Sequence, residues 1–180
     1  FEQCLGGPSA YCNAHLFLRP GITDTRHAAN AWEGWHIDHD TNCLLPPSEQ
    51  PSRYAYVNSH VFLHDVEDDG APMLVIPGSH RVNVWPEAIA SDNLAGRGHI
   101  KDIRRVKGLA EPVQAVARKG AALLYSSSLI HAAQPFKDRR KQRVFWTLSL
   151  SRRENAGWQK FANPFLYGER EHMLPFMCGT

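Results

Sequence analysis

Short runs of β-forming residues, separated by glycine and proline turns, recur through most of this sequence. The runs that we interpret as strands are residues 11–18, 54–66, 73–76, 113–117, 121–126 and 143–150. Many short strands at this spacing are typical of a sandwich or barrel. Helical patterns are confined to residues 88–105, which Gly96 and Gly98 interrupt, and to residues 169–177, which Pro175 limits. The sequence therefore predicts a mainly β fold with a few peripheral helices.

Length and charge narrow the class of protein. The 180 residues fit one domain, which we place over residues 1–180. There are 20 basic and 18 acidic side chains, and the net charge of +2 gives no reason to expect a nucleic-acid partner. No apolar stretch approaches the roughly 20 residues that a membrane span requires. We therefore expect neither a nucleic-acid partner nor a membrane span, while the oligomeric state cannot be deduced from the sequence.

The cysteines and the first residue bear on where the protein works. The four cysteines are scattered and form no C-x-x-C pair, which is against a zinc knuckle. Scattered cysteines in a chain with a sizeable core predict reduced thiols and a cytoplasmic location, with a secreted protein holding two disulfides as the alternative. The chain starts at Phe1 rather than at methionine, which leaves open that an N-terminal segment is missing.

The segment Trp35-His36-Ile37-Asp38 carries the first chemical signal. Residues i and i+2 of a strand point to the same face, so His36 and Asp38 would present an imidazole and a carboxylate side by side. Two histidines and one carboxylate form the metal site of non-haem Fe(II) oxygenases. Chance alone gives about half an H-x-D match per chain of this composition, so a polar surface loop is the alternative. Asp40 shares the strand face and is a second candidate for the carboxylate.

Two later residues extend this pattern. His131 follows a glycine turn and an apolar strand, where it is either a metal ligand or a histidine that ends the strand. Arg143 begins the strand at residues 143–150, and we expect a hairpin to bring it near the end of the preceding strand. A buried arginine there requires an anion, and its planar fork suits a carboxylate. The alternative is that Arg143 belongs to the solvated basic run that begins at Arg139.

Together these motifs resemble the phytanoyl-CoA dioxygenase family, a branch of the Fe(II)/2-oxoglutarate-dependent oxygenases. The H-x-D motif is followed by Pro77-Gly78-Ser79-His80, then by a glycine-led strand with His131, and finally by Arg143. This order is typical of the family, and the resemblance extends from about Tyr11 to Arg152.

The resemblance implies a fold, a metal site and a reaction. The fold is a double-stranded β-helix, or cupin-like jelly roll. His36, Asp38 and His131 would hold the catalytic Fe(II), and Arg143 would pair with the distal carboxylate of the cosubstrate 2-oxoglutarate. The reaction would couple decarboxylation of 2-oxoglutarate, to succinate and CO2, to O2-dependent hydroxylation of an unactivated C–H bond in a small organic or lipid-like substrate. A carboxylate at position 38 favours hydroxylation over halogenation.

Further contacts to the cosubstrate are expected from the strands. Alternation turns His15 of the first strand inward, and His60 lies on the strand after H-x-D; each is either a 2-oxoglutarate contact or ordinary strand packing. The resemblance makes the Pro77–His80 segment a structural turn in which Gly78 supplies an unusual backbone angle. His80 at its end is a further candidate for the lining of the site.

Two departures from the family pattern leave other functions open. Ala132 and Ala133 stand where a glycine and a hydroxyl residue are frequent, and fewer residues than usual precede H-x-D. The main alternative is therefore a catalytically impaired jelly roll that binds a metal or ligand without turnover. A hydroxylase or demethylase acting on proteins or histones is another, although those branches often lack the Pro-Gly-Ser-His segment. Succinate production that depends on iron and 2-oxoglutarate would identify the oxygenase.

Overall fold

The computed structural model describes residues 1–23, 34–38, 56–81, 98–100 and 102–153. The possible ligand Asp40 and the helix expected at residues 169–177 lie outside these ranges. In the described part of the chain, no helix is both long and apolar enough to cross a membrane.

Strands dominate the described residues. The helix α1 covers Glu2–Leu5, and the strands are β1 Ser9–Pro20, β2 His36–Ile37, β3 Tyr56–Phe62, β4 Met73–Val75, β5 Gly98–His99, β6 Val113–Ala115, β7 Ala122–Ser126, β8 His131–Ala133 and β9 Gln142–Arg152. Short 3-10 turns cover Gly21–Thr23, Ser79–Arg81 and Ile103–Arg105. Each of the runs interpreted as strands from the sequence overlaps one of these strands. The short β2, β5 and β8 contribute too few residues for a periodic signal of their own.

The strands form two antiparallel sheets. One has the order β1-β9-β3-β7, and the other has the order β5-β2-β8-β4-β6. The hairpin expected before Arg143 is wrong, because β7, the strand predicted to precede it, pairs with β3 and not with β9, and β8 lies in the other sheet. The chain therefore changes layer between His131 and Arg143, and these two residues approach the interior from opposite sheets.

The helix expected at residues 88–105 is wrong at its described end. Gly98 and His99 form β5 and pair with β2. Asp102 then starts a 3-10 turn, and its carboxylate accepts a hydrogen bond from the backbone N–H of Arg104. A strand partner and a side-chain cap satisfy the backbone here without an α-helix.

Alternation along the short strands separates the core from the polar face. A buried apolar cluster comprises Trp35, Ile37, Ile76, Ile100, Ile103, Val106, Ile130 and Ala132. Trp35 and Ile37 flank His36, while Ile130 and Ala132 flank His131. Since successive side chains of a strand point to opposite faces, this cluster fixes both imidazoles on the other face, towards the four-stranded sheet.

The Pro77–His80 segment forms a turn, as the sequence predicted. Gly78 has φ 77°, in the left-handed region where a side chain is disfavoured. The next residue, Ser79, is buried, and its hydroxyl accepts a hydrogen bond of 2.8 Å from the backbone N–H of Ile130. The turn therefore holds the start of β8 one residue before His131.

Candidate metal centre

His36, Asp38 and His131 meet on one face of the five-stranded sheet. One ligand atom from each residue lies within 4.8 Å of the others. Asp38 Oδ1 is 3.7 Å from His36 Nε2 and 3.4 Å from His131 Nε2, and the two imidazole centroids are 4.2 Å apart. The structure thus brings together the H-x-D motif and His131, which lie far apart along the chain.

Strand register explains this meeting. His36 of β2 is directly opposite His131 of β8, so both rings project from the same face of the sheet. Asp38 follows β2, and its backbone N–H donates to the carbonyl oxygen of Ser127 at 3.1 Å. That bond holds the end of β2 against the loop that leads to His131.

Backbone carbonyl groups orient both imidazoles. His36 Nδ1 lies 2.8 Å from the Gly34 carbonyl oxygen, and His131 Nδ1 lies 2.8 Å from that of Leu129. Because a carbonyl oxygen only accepts hydrogen bonds, each Nδ1 must carry the proton. In the neutral ring the Nε2 lone pair then faces Asp38, which is the tautomer that metal-binding histidines need.

The charge of Asp38 is stabilised within this cluster. Burial acts to raise the pKa of its carboxyl group, but the imidazoles of His131 and His36 outweigh burial when they are protonated, His131 through its charge and a hydrogen bond and His36 through its charge, so that the pKa lies well below its ordinary value. Asp38 is therefore a carboxylate at neutral pH. Two neutral imidazoles and one carboxylate are the donor types of the facial site of non-haem Fe(II) enzymes, so the residues present fit that ion.

Arg143 approaches the interior from the other sheet. It is only 5% exposed, and its Nη1 donates a hydrogen bond of 2.5 Å to the carbonyl oxygen of Ala71. Its guanidinium carbon lies 4.7 Å from the centroid of the Phe145 ring. Arg139, by contrast, is exposed. Arg143 is therefore a buried cation and not part of the solvated basic run.

A second arginine faces Arg143 across the strands. Arg19 of β1 is directly opposite Arg143 in the register, and its Nη2 donates to the carbonyl oxygen of Gln134 at 2.6 Å. Its guanidinium lies 5.0 Å from the Phe136 ring centroid. Like charges that are directly opposite destabilise a sheet, so this end of the interior is suited to an anion.

His60 lies between the metal cluster and Arg143. Its Nε2 is hydrogen-bonded to the Tyr125 hydroxyl at 3.0 Å, and its ring lies 4.6 Å from that of Phe145. Burial, reinforced by the charges of Arg143 and His131, lowers the pKa of His60 to about 3 against the opposing effect of Asp38. His60 is therefore neutral at physiological pH and acts as a polar wall of the interior.

The low pKa of His60 predicts a pH-dependent loss of stability. The unfolded chain takes up this proton near pH 6.5, whereas the folded protein takes it up only near pH 3. Its stabilising contribution is complete above pH 6.5 and is lost between these values, at up to about 1.4 kcal/mol per pH unit. The free energy of unfolding of the metal-free protein, measured with urea, should therefore fall more steeply below pH 6.5 than that of His60→Gln. If the free energy of unfolding changes with pH in the same way in the two proteins, the low pKa assigned to His60 is contradicted.

The remaining described residues that were predicted for the site are exposed. The side chain of His15 is exposed, and its ring meets Phe17 edge-on at 5.8 Å. His80 is also exposed. The role of His15 in cosubstrate binding stays a prediction.

Sequence reasoning missed three residues beside the cluster or beside Arg143. Asn58 donates a hydrogen bond to Asp38, and the ring of Tyr125 lies 5.1 Å from that of His131. Ala71, which accepts from Arg143, has φ 56° although it is not glycine. Asn58 had a usable signal, because it alternates with His60 on one strand face. Nothing in the sequence marks the backbone of Ala71.

Known proteins resemble this chain in sequence over most of its length. A model of the phytanoyl-CoA dioxygenase (PhyH) family matches residues 2–142. An L-proline trans-4-hydroxylase from Streptomyces griseoviridis is 27% identical over 159 residues, a match that covers 73% of this chain and 51% of that protein. The chain thus spans about half the length of this curated relative.

Solved structures show the same fold. EctD from S. alaskensis with bound Fe has a TM-score of 0.57 and 20% identity, covering 86% of this chain and 48% of that chain. The epimerase SnoN, in complex with Fe3+, alpha ketoglutarate and nogalamycin RO, has a TM-score of 0.56 and 15% identity, covering 84% and 53%. These likenesses confirm the predicted double-stranded β-helix.

Proposed function

Because the chain belongs to the phytanoyl-CoA dioxygenase family, we propose that it is a non-haem iron oxygenase that couples decarboxylation of 2-oxoglutarate to hydroxylation of an unactivated C–H bond. The observation that carries this proposal is the meeting of His36, Asp38 and His131 within 4.8 Å on the sheet face that looks towards buried Arg143. Bound Fe(II), with 2-oxoglutarate and O2, supplies the oxidising chemistry and yields succinate and CO2 as by-products.

Charge balance supports 2-oxoglutarate as the cosubstrate. Asp38 offsets one charge of Fe(II), so the loaded centre would keep one positive charge and Arg143 would add a second. A dianion neutralises both. Arg19, opposite Arg143, further favours an anion at this end of the interior. We assign the distal carboxylate to Arg143, whose fork donates parallel hydrogen bonds.

The protein's own groups have distinct tasks in this proposal. His36 and His131 offer Nε2 because backbone carbonyl groups hold the proton on Nδ1. Asp38 offers a carboxylate oxygen. His60, neutral and hydrogen-bonded to Tyr125, lines the space between the centre and Arg143 without adding a competing charge. Phe145, which is buried and contacts both His60 and Arg143, excludes water from that space.

The substrate class that we propose is a small organic or lipid-like molecule. The related L-proline trans-4-hydroxylase is named for a small substrate. Phe17 stacks on Phe145 at 5.1 Å and is itself 40% exposed, so it offers an accessible apolar surface beside the interior. We place the reaction in the cytoplasm, where the free exposed thiol of Cys4 would stay reduced.

Anaerobic titration with Fe(II) and 2-oxoglutarate tests the proposal. We expect a weak visible charge-transfer band only when both are present, and its loss on addition of a chelator. With O2 and candidate substrates, succinate should appear in an iron-dependent manner. A band without succinate would indicate the catalytically impaired binding module. Absence of the band at saturating concentrations of both would overturn the iron and 2-oxoglutarate assignment itself.

A further inference from the structure

A buried hydrogen-bond chain runs from the four-stranded sheet to Asp38. Ser149 of β9 donates its hydroxyl proton to Asn58 Oδ1, and Asn58 Nδ2 donates to Asp38 Oδ2 at 2.5 Å. Asn58 and Ser149 are each 5% exposed. Since a carboxylate oxygen only accepts, the amide nitrogen of Asn58 must face Asp38. Ser149 completes the arrangement, because its hydroxyl donates a hydrogen bond to the amide oxygen of Asn58.

This chain gives the two oxygens of Asp38 different surroundings. Oδ1 faces Nε2 of both His36 and His131, whereas Oδ2 accepts a hydrogen bond from Asn58 Nδ2. A carboxylate that turns both oxygens towards a cation binds through both and occupies an additional coordination position. The Asn58 bond opposes that rotation, because breaking it would leave a buried amide proton without an acceptor.

Whether Asp38 binds through one oxygen or two decides how many coordination positions stay open. Two imidazoles and one carboxylate oxygen occupy half of an octahedral sphere. A cosubstrate that chelates through two atoms leaves one position for O2. If Asp38 bound through both oxygens, that last position would be filled by the protein.

We propose that Asn58 is a positioning residue that keeps Asp38 a one-oxygen ligand and so preserves the coordination position where O2 must bind. Ser149 supports it by fixing the amide orientation. The inference rests on the proposed function and adds to it a control of how many positions stay open. Contacts of this kind orient metal ligands, and their loss typically costs about 10- to 100-fold in metal affinity or activity.

The test compares Asn58→Leu, which is similar in size and lacks the donor, with the wild-type protein. Nitric oxide serves as a probe of the O2 position, and its binding to protein loaded with Fe(II) and 2-oxoglutarate is followed by electron paramagnetic resonance. We expect Asn58→Leu to retain Fe(II) and 2-oxoglutarate but to bind nitric oxide at least about 10-fold more weakly. Ser149→Ala should shift in the same direction by a smaller factor.

A matched control separates positioning from general loss of structure. Ser59 is the neighbour of Asn58 on the same strand and is also buried, but its hydroxyl donates to the Leu148 carbonyl oxygen. Ser59→Ala therefore removes a buried hydrogen bond of β3 without touching Asp38, and nitric oxide binding should match that of wild type.

The outcomes are distinguishable. If wild type binds nitric oxide in the loaded state and Asn58→Leu binds it equally well, the role of Asn58 is overturned while the proposed function stands. If wild type itself does not take up Fe(II) and 2-oxoglutarate, the proposed function fails and this inference fails with it. If Asn58→Leu does not fold, Ser149→Ala decides, and wild-type affinity for nitric oxide in that variant overturns the proposal.

Discussion

Asp38→Ala should abolish hydroxylation and weaken Fe(II) binding by more than about 100-fold. The expected effect exceeds the roughly 10- to 100-fold cost of losing a supporting contact, because the variant removes the one charged donor in the cluster. It would also leave Asn58 donating into an empty space. Fe(II) affinity is measured anaerobically by competition with a chromogenic chelator, and turnover is measured as succinate formed.

Two further variants make the result on Asp38 specific. Asp38→Asn keeps the shape but not the charge, so it should fail nearly as completely as alanine. Asp102→Asn removes a carboxylate that pairs with Arg104 on the surface and should leave Fe(II) binding unchanged. Full turnover in Asp38→Ala would transfer the ligand role to another carboxylate, with Asp40 the first candidate.

Arg143→Gln should raise the KM for 2-oxoglutarate on the order of 100-fold, with a smaller change in kcat at saturation. Truncating one member of a buried, hydrogen-bonded charge pair costs about 2–5 kcal/mol, much of it from the charge left without a partner. Arg143→Lys keeps the charge but loses the fork, so its KM should lie between those of wild type and Arg143→Gln. Initial rates of succinate formation at varied 2-oxoglutarate give both constants.

The control for Arg143 lies three residues away. Arg140→Gln removes the same charge from an exposed side chain that pairs with Asp138, so its KM should equal that of wild type. Because Arg143 also donates to the Ala71 carbonyl oxygen, thermal unfolding without cosubstrate shows how much of any effect is structural. If folded Arg143→Gln has the wild-type KM for 2-oxoglutarate, Arg143 does not bind the cosubstrate.

Alternation along single strands was readable from the sequence. It placed His36 and Asp38 on one face and put the longer strands close to where they form. The opposition of His36 and His131 was not readable, because it depends on which strands become neighbours in a sheet. The sequence resemblance supplied that link, whereas local pattern alone predicted a hairpin that does not form.

The contacts that complete the candidate site were hidden for a different reason. Asn58 reaches Asp38 only because the two sheets face one another, and a single strand carries no information about the opposite layer. The left-handed backbone of Ala71, which presents its carbonyl oxygen to Arg143, normally signals glycine, and here the residue is not glycine. Tertiary structure overrides local preference at this position.

The division of the candidate site between two sheets has a mechanical consequence. The proposed Fe(II) ligands His36, Asp38 and His131 lie on or directly after β2 and on β8, whereas Arg143 and Asn58 lie on β9 and β3. A ligand that contacts both groups would link the two sheets. At a ligand concentration of about 100 times the Kd, its binding would add about 2.7 kcal/mol to the free energy of unfolding. Ligand binding and the stability of the packing between the two sheets are thus coupled, so the protein without ligands should hold its two sheets together less firmly.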